Sequence, residues 1–170
     1  MITSLVVISL LILSLYISVM IFKNNGIPSS VSETFYSLYN KSWFGFSMIS
    51  ASALLMPAIL EITPESYQFT AFLACVGMIM VGVSPNFKSE FERPIHVSGA
   101  TMVLVFSQVW VALSNPLFLI LWVPYIIGSI IGIEKNWNEN FMESYNKTNP
   151  LFWIEIVSII STYSCIIYLL

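Results

Sequence analysis

Glu155 and His96 are the side chains of this 170-residue sequence best suited to chemistry. Glu155 lies in the apolar run Phe152-Trp-Ile-Glu-Ile156, five residues beyond Pro150 and so roughly 7 Å into any helix that starts there. An ionisable group inside a membrane-length run is costly, and it marks either a polar site or an anchoring contact. His96 is the single histidine and opens the run His96-Val-Ser-Gly-Ala100. With His96 as base, Glu155 orienting it and Ser29 or Ser30 as nucleophile or substrate contact, the set would support hydrolysis of a lipid ester. The plainer reading makes His96 and Glu155 hydrogen-bonding anchors near a membrane interface.

The segment between the first two apolar runs, Ile27-Pro-Ser-Ser-Val-Ser-Glu-Thr-Phe-Tyr-Ser-Leu-Tyr39, carries the richest local pattern. Ser30 and Glu33 have the spacing of a capping box, in which each side chain satisfies a backbone N–H at a helix start. Val31, Phe35 and Leu38 then recur at helical spacing, with Tyr36 and Tyr39 beside them. This predicts a short amphipathic helix in the membrane interface, serving as an elbow or as a wall or lid over a cavity. Glu33, Tyr36 and Arg93 are the candidate contacts for a lipid or other ligand at this level. In the loop 85–96, Lys88, Glu90, Glu92 and Arg93 are expected to pair among themselves. Gln108 is a fourth candidate contact, about 18 Å along its helix from His96. With Ser107, Ser158, Ser161 and Thr162 it can hydrogen-bond between helices.

Composition removes several classes of function. All nine acids are glutamate, and His96, Cys75 and Cys165 are the only soft ligands, so the residues for a zinc site are missing. No cofactor is expected. A net charge of −3 without a basic cluster gives nucleic acid nothing to bind. No ladder of charges runs through the apolar segments, which argues against a proton-coupled pump.

The elements that would position these residues are membrane spans. The chain is 57% hydrophobic and 9% charged, with a mean hydropathy of +0.84. Apolar runs over about 2–22, 43–60, 68–84, 97–113, 117–133 and 151–170 are each long enough to cross a hydrocarbon core of about 30 Å. The sequence therefore predicts an all-α fold, a single polytopic domain over 1–170 built as a six-helix bundle. The first run has no basic leader and no small-residue cleavage site, so it reads as a retained span. Lys23, Lys41, Lys88, Arg93, Lys135 and Lys147 fall two each in segments 23–42, 85–96 and 134–150, and none falls in the other connections. That asymmetry puts the three basic segments in the cytoplasm and both termini outside. Short turns at 61–67 and 114–116 predict hairpins of spans two with three and four with five. Gly128 and Gly132 form a G-x-x-x-G pair expected to pack within the bundle or in a homodimer. Ser47 with Ala51, and the stripe of Ala71, Ala74 and Gly77, mark other close approaches. Pro57 and Pro124 should bend their spans. Trp43, Trp137 and Trp153 at one boundary, and Trp110 and Tyr67 at the other, fit interfacial belts.

The stretches Ile27-Pro-Ser-Ser-Val-Ser-Glu-Thr-Phe-Tyr36, Val83-Ser-Pro-Asn-Phe87 and His96-Val-Ser-Gly-Ala100 together resemble small six-helix membrane proteins of bacteria and their phages, a group of unknown function. Those proteins carry a Pro-Ser-Ser loop after helix one and a histidine opening helix four. The resemblance implies a six-helix bundle in the inner, cytoplasmic membrane and implies no activity. The alkaline ceramidase and adiponectin-receptor hydrolases use three histidines, an aspartate and a serine around zinc, and this chain has one histidine and no aspartate. The leading expectation is a non-catalytic multi-pass protein acting through lipid, a membrane-protein partner or a second copy at its cytoplasmic face. A lipid-modifying hydrolase using His96, Glu155 and Ser29 or Ser30 is the alternative, and a small channel or carrier is the third.

Overall fold

The computed structural model describes residues 1–137 and 140–170, and among them there is helix but no strand. Long helices are what a bilayer demands, because only internal hydrogen bonds can satisfy the backbone there. The long elements are α1 (Ile2–Lys23), α3 (Ser42–Ile62), α4 (Gln68–Val83), α5 (Arg93–Ser114), α6 (Trp122–Lys135) and α8 (Pro150–Leu169). Two short helices, α2 (Thr34–Ser37) and α7 (Phe141–Asn146), lie in the connections. With the 3-10 turns Glu65–Tyr67 and Pro116–Leu121 joined to α4 and α6, six segments are long and apolar enough to cross a membrane. Pro94 and Pro150 occupy first turns, where a missing N–H costs nothing.

Five of these helices close a ring in the order α1, α3, α4, α5, α8, and α8 returns to α1. Backbones approach most closely where glycines face each other. A Cβ on Gly77 would lie 2.6 Å from the Gly99 carbonyl oxygen, and one on Gly45 would lie 2.7 Å from that of Gly82. These pairs draw α5 onto α4 and α4 onto α3. Hydroxyls tie the ring across its middle. Ser9 donates to the Ala51 carbonyl at 2.7 Å and meets the Tyr163 hydroxyl at 2.5 Å, while Ser52 donates to the Cys75 carbonyl at 2.7 Å. Cys75 and Cys165 are both buried free thiols.

Span five departs from expectation. It begins as 3-10 helix over Pro116–Leu121 and turns α-helical only at Trp122, because Pro124 has no N–H to donate to Ile120. None of its residues is buried. The expected hairpin of spans four and five is thus splayed, with α6 resting against α8 and α7. Gly128 has no heavy atom within 4 Å of where a Cβ would sit, whereas one on Gly132 would lie 2.7 Å from Thr148 Cγ2, so within the chain the second glycine of the pair meets the connection before α8 and the first meets nothing. The tightest pair is α4 with α5, joined by the longer loop 84–92. Pro57 lies inside a continuous α3.

All three basic connections meet at one end of the ring, the basic end. Lys88 Nζ lies 2.7 Å from Glu33 Oε1, Phe152 N–H donates to the Ser29 carbonyl at 3.1 Å, and Asn149 Nδ2 to that of Ile27 at 3.4 Å.

Candidate functional site

The segment 27–41 folds inward rather than lying along an interface. Only Thr34–Ser37 is helical, while Ser30, Val31, Ser32, Thr34 and Phe35 are all buried. Half of the expected capping box forms, with Ser30 Oγ accepting the Glu33 N–H at 3.0 Å. The Glu33 carboxylate turns outward to Lys88 instead of back to the loop. Phe35 packs edge-on against Phe44, which packs in turn against Tyr16, and the Tyr16 hydroxyl meets Thr34 Oγ1 at 2.6 Å. These contacts seat the loop as a plug in the basic end of the ring.

Two side chains, from neighbouring helices of the ring, hold the plug. Glu155 of α8 accepts the Val31 N–H on Oε2 at 2.5 Å. His96 of α5 meets Ser32 Oγ with Nε2 at 3.0 Å and the Ser84 carbonyl with Nδ1 at 2.8 Å. A carbonyl only accepts, so Nδ1 bears the hydrogen, and in the neutral ring Nε2 accepts from the Ser32 hydroxyl. Glu155 and His96 therefore hold neighbouring residues of one loop. The group that orients His96 is the Ser84 carbonyl rather than Glu155.

The remaining sequence candidates fall into place around this clamp. Ser29 is exposed, and Ser30 is committed to its cap. The serine beside the imidazole is Ser32, which spacing alone could not separate from its two neighbours. Tyr36 donates to Asn86 Oδ1 at 3.1 Å and accepts the Lys88 N–H at 2.8 Å, and Lys88 Nζ stands 4.1 Å over its ring. Phe87 bridges Tyr36 and His96, with centroid distances of 5.2 and 5.0 Å. Lys88 thus pairs across loops with Glu33, while Glu92 accepts the Asn86 N–H at 2.9 Å, so the expected pairing within the loop 85–96 does not form. Arg93 is exposed at the start of α5.

Gln108 spends both ends of its amide on the protein. Its nitrogen donates to Ser107 Oγ at 3.1 Å, to the Ser158 carbonyl at 3.3 Å and to Thr162 Oγ1 at 3.4 Å. Its oxygen accepts from Trp122 Nε1 and Ser161 Oγ, each at 2.9 Å. It is the node joining spans four, five and six.

Beneath the plug lies an apolar slot of about 110 Å³ inside the ring. Val31, Ser32 and Glu155 line it at the plug, and Ile59 and Trp110 at the far end. Along α5 the lining runs from Ala100 to Trp110, about 15 Å of helix. Trp110 is completely buried, with Nε1 donating to Thr63 Oγ1 at 2.8 Å. It closes the slot instead of joining an interfacial belt, whereas Trp43, Trp137 and Trp153 do stand exposed.

No protein-family model, characterised protein or solved structure matches this chain. The function has to be argued from the slot and its plug.

Polar groups on the slot are few. Glu155 lines it with only Oε2 engaged. Ser158, one turn further along α8, also lines it, and its buried Oγ has no partner among the described residues. No lysine or arginine lines the slot.

Proposed function

We propose that this chain is a non-catalytic six-span protein of a bacterial cytoplasmic membrane, encoded by the bacterium or its phage, that holds one lipid chain in its interior slot. Its basic end would face the cytoplasm and both termini the outside, following the distribution of lysine and arginine. The supporting observation is the slot itself, apolar along its length and capped by a plug that three loops secure. On the scale where an apolar cavity of roughly 150 Å³ admits benzene, a slot of about 110 Å³ drawn out along α5 suits a narrow unbranched chain and no sterol. Closure by Trp110 speaks against a static pore.

Ala74 lines the slot from α4. Ala74→Phe should fill it, and protein purified in mild detergent should then lose its co-purifying lipid in native mass spectrometry while keeping its helical circular dichroism. Equal lipid retention by the folded variant would overturn the proposal.

A second reading is favoured by one contact, the 3.0 Å approach of Ser32 Oγ to His96 Nε2. A serine, a base and a group orienting that base are the parts of a nucleophilic site. Ser32 Oγ would attack an ester carbonyl and pass its proton to His96, which would return it to the departing alkoxide. Water would then release the acyl group from Ser32. Phe87 and Tyr36 enclose the pair, and Ser32 and His96 are both buried, so binding stands first. The two readings separate on a fluorophosphonate probe. Labelling that disappears in Ser32→Ala would establish the hydrolase, and binding alone predicts none.

A further inference from the structure

The polar groups on the slot specify the head of its ligand. Ser158 is 3% exposed, and its Oγ is the one buried side-chain oxygen or nitrogen without a hydrogen-bond partner among the described residues. An orphaned buried hydroxyl carries a desolvation penalty and calls for a partner that the protein does not itself supply. It stands three residues from Glu155 on the same helix, so the two side chains share a face one turn apart. Glu155 brings an oxygen that the Val31 N–H leaves unused, and Ser32 Oγ lies at the same end with its hydrogen directed to His96 when that ring is neutral. The slot thus offers oxygen lone pairs along one side, with the Ser158 O–H as its one uncommitted hydroxyl donor among the described residues.

It offers no positive charge. Lys88 is held on the surface by Glu33, and Arg93 lies exposed outside the ring. A carboxylate or phosphate head would be buried beside Glu155 with no cation to offset it, and such a burial is strongly disfavoured. A methyl-capped chain would leave Ser158 and Glu155 unanswered. A head that both donates hydrogen bonds and avoids negative charge answers both.

We infer that the slot takes a single-chain amphiphile headed by a hydrogen-bond donor, a primary alcohol or amine, seated between Glu155 and Ser158 with its chain running toward Trp110. This rests on the lipid-binding proposal, and the test separates the two. The probes are 6-bromohexan-1-ol, 6-bromohexylamine, 6-bromohexanoate and 1-bromo-6-methoxyhexane, added to the full chain in phosphatidylcholine nanodiscs. Bromine quenches indole fluorescence on contact, so the signal is the saturable quenching that Trp110→Phe removes.

The alcohol, the amine or both should bind at least tenfold more tightly than the carboxylate and the ether. Preference for the amine would indicate an ionised Glu155, and preference for the alcohol a protonated one. Ser158→Ala should weaken binding of the preferred probe about tenfold. The same variant should melt no lower than the wild type without ligand, since it deletes an unpaired hydroxyl, and this keeps the test free of folding effects. Glu155→Gln, whose carbonyl can still accept from Val31, should abolish any preference for the amine. Ether or carboxylate binding as well as the alcohol and amine would overturn the head assignment while leaving the lipid slot standing. Absence of Trp110-dependent quenching by every probe would overturn both.

Discussion

Replacing Trp110 with alanine should destabilise the detergent-solubilised protein by about 3 kcal/mol, the cost of a residual cavity of roughly 140 Å³ at about 24 cal/mol per Å³. The transfer term that adds to such losses in water is small here, because lipid tails are as apolar as the protein interior. What goes is contact: Trp110 is completely buried at the far end of the slot, which Ile59 and Ala71 also line, and it is bonded to Thr63. The indole N–H is lost too, leaving Thr63 Oγ1 bonded only to the Ile59 carbonyl. For a chain of this length the melting temperature should fall by roughly 6–12 °C. Trp110→Phe separates the contributions, since it keeps most of the volume and gives up only the hydrogen bond, a loss of about 1 kcal/mol. The alanine variant should also lengthen the slot and favour probes two to four carbons longer. A Trp110→Ala protein as stable as the wild type, with unchanged chain-length preference, would mean that the far end is not closed by this ring.

The six long apolar helices were legible because an apolar run of some twenty residues is what a bilayer selects, and a bilayer leaves the backbone no choice but helix. The expected boundaries fall within a few residues of the observed ones, with Arg93 opening the fourth helix a turn earlier than expected. Gln108 was legible for a related reason, since a half-buried amide in an apolar run must find partners across helices and hydroxyls stood at the right spacing. Helix order around the ring was not legible. The Gly128 and Gly132 spacing promised a helix contact, yet Gly132 meets only Thr148 in a connection, and the close approaches between helix backbones belong to Gly45 with Gly82 and Gly77 with Gly99, none of which stands in a G-x-x-x-G pattern. Local spacing describes one helix, whereas a contact needs two, and their pairing is set by the whole bundle. The plug shows the same limit. Ser29, Ser30 and Ser32 are chemically alike in the sequence, and only the inward turn of the loop brings Ser32 to His96 and leaves Ser29 in the open. Trp110 carried the composition of an interfacial belt residue and became the floor of the slot, because its side of α5 faces the ring.

Gly77→Val should prevent the bundle from forming as described, while Gly128→Val should leave it unchanged. At Gly77 an added Cβ would sit 2.6 Å from the Gly99 carbonyl oxygen and 2.9 Å from the Val103 nitrogen, and at Gly99 it would sit 2.7 Å from the Gly77 carbonyl oxygen. Backbone atoms cannot rotate away as a side chain does, so α4 and α5 must separate. Overpacking of this kind costs roughly 1–3 kcal/mol where side chains can adjust, and the upper end or beyond is expected where they cannot. The damage should reach the plug. Ser84 follows the last turn of α4, His96 lies in the first turn of α5, and the 2.8 Å bond between them exists because the two helices are in contact. Parting the helices frees His96 from Ser84, and Ser32 then loses the ring that holds the loop. Gly77→Val should therefore show a lowered melting temperature together with rapid labelling of a cysteine placed at Ser32, a position buried in the native fold. Gly128 has open space around it and no left-handed backbone, so valine there strains nothing within the chain. Equal tolerance of valine at both positions would refute the ring, and with it the slot on which the functional proposal depends.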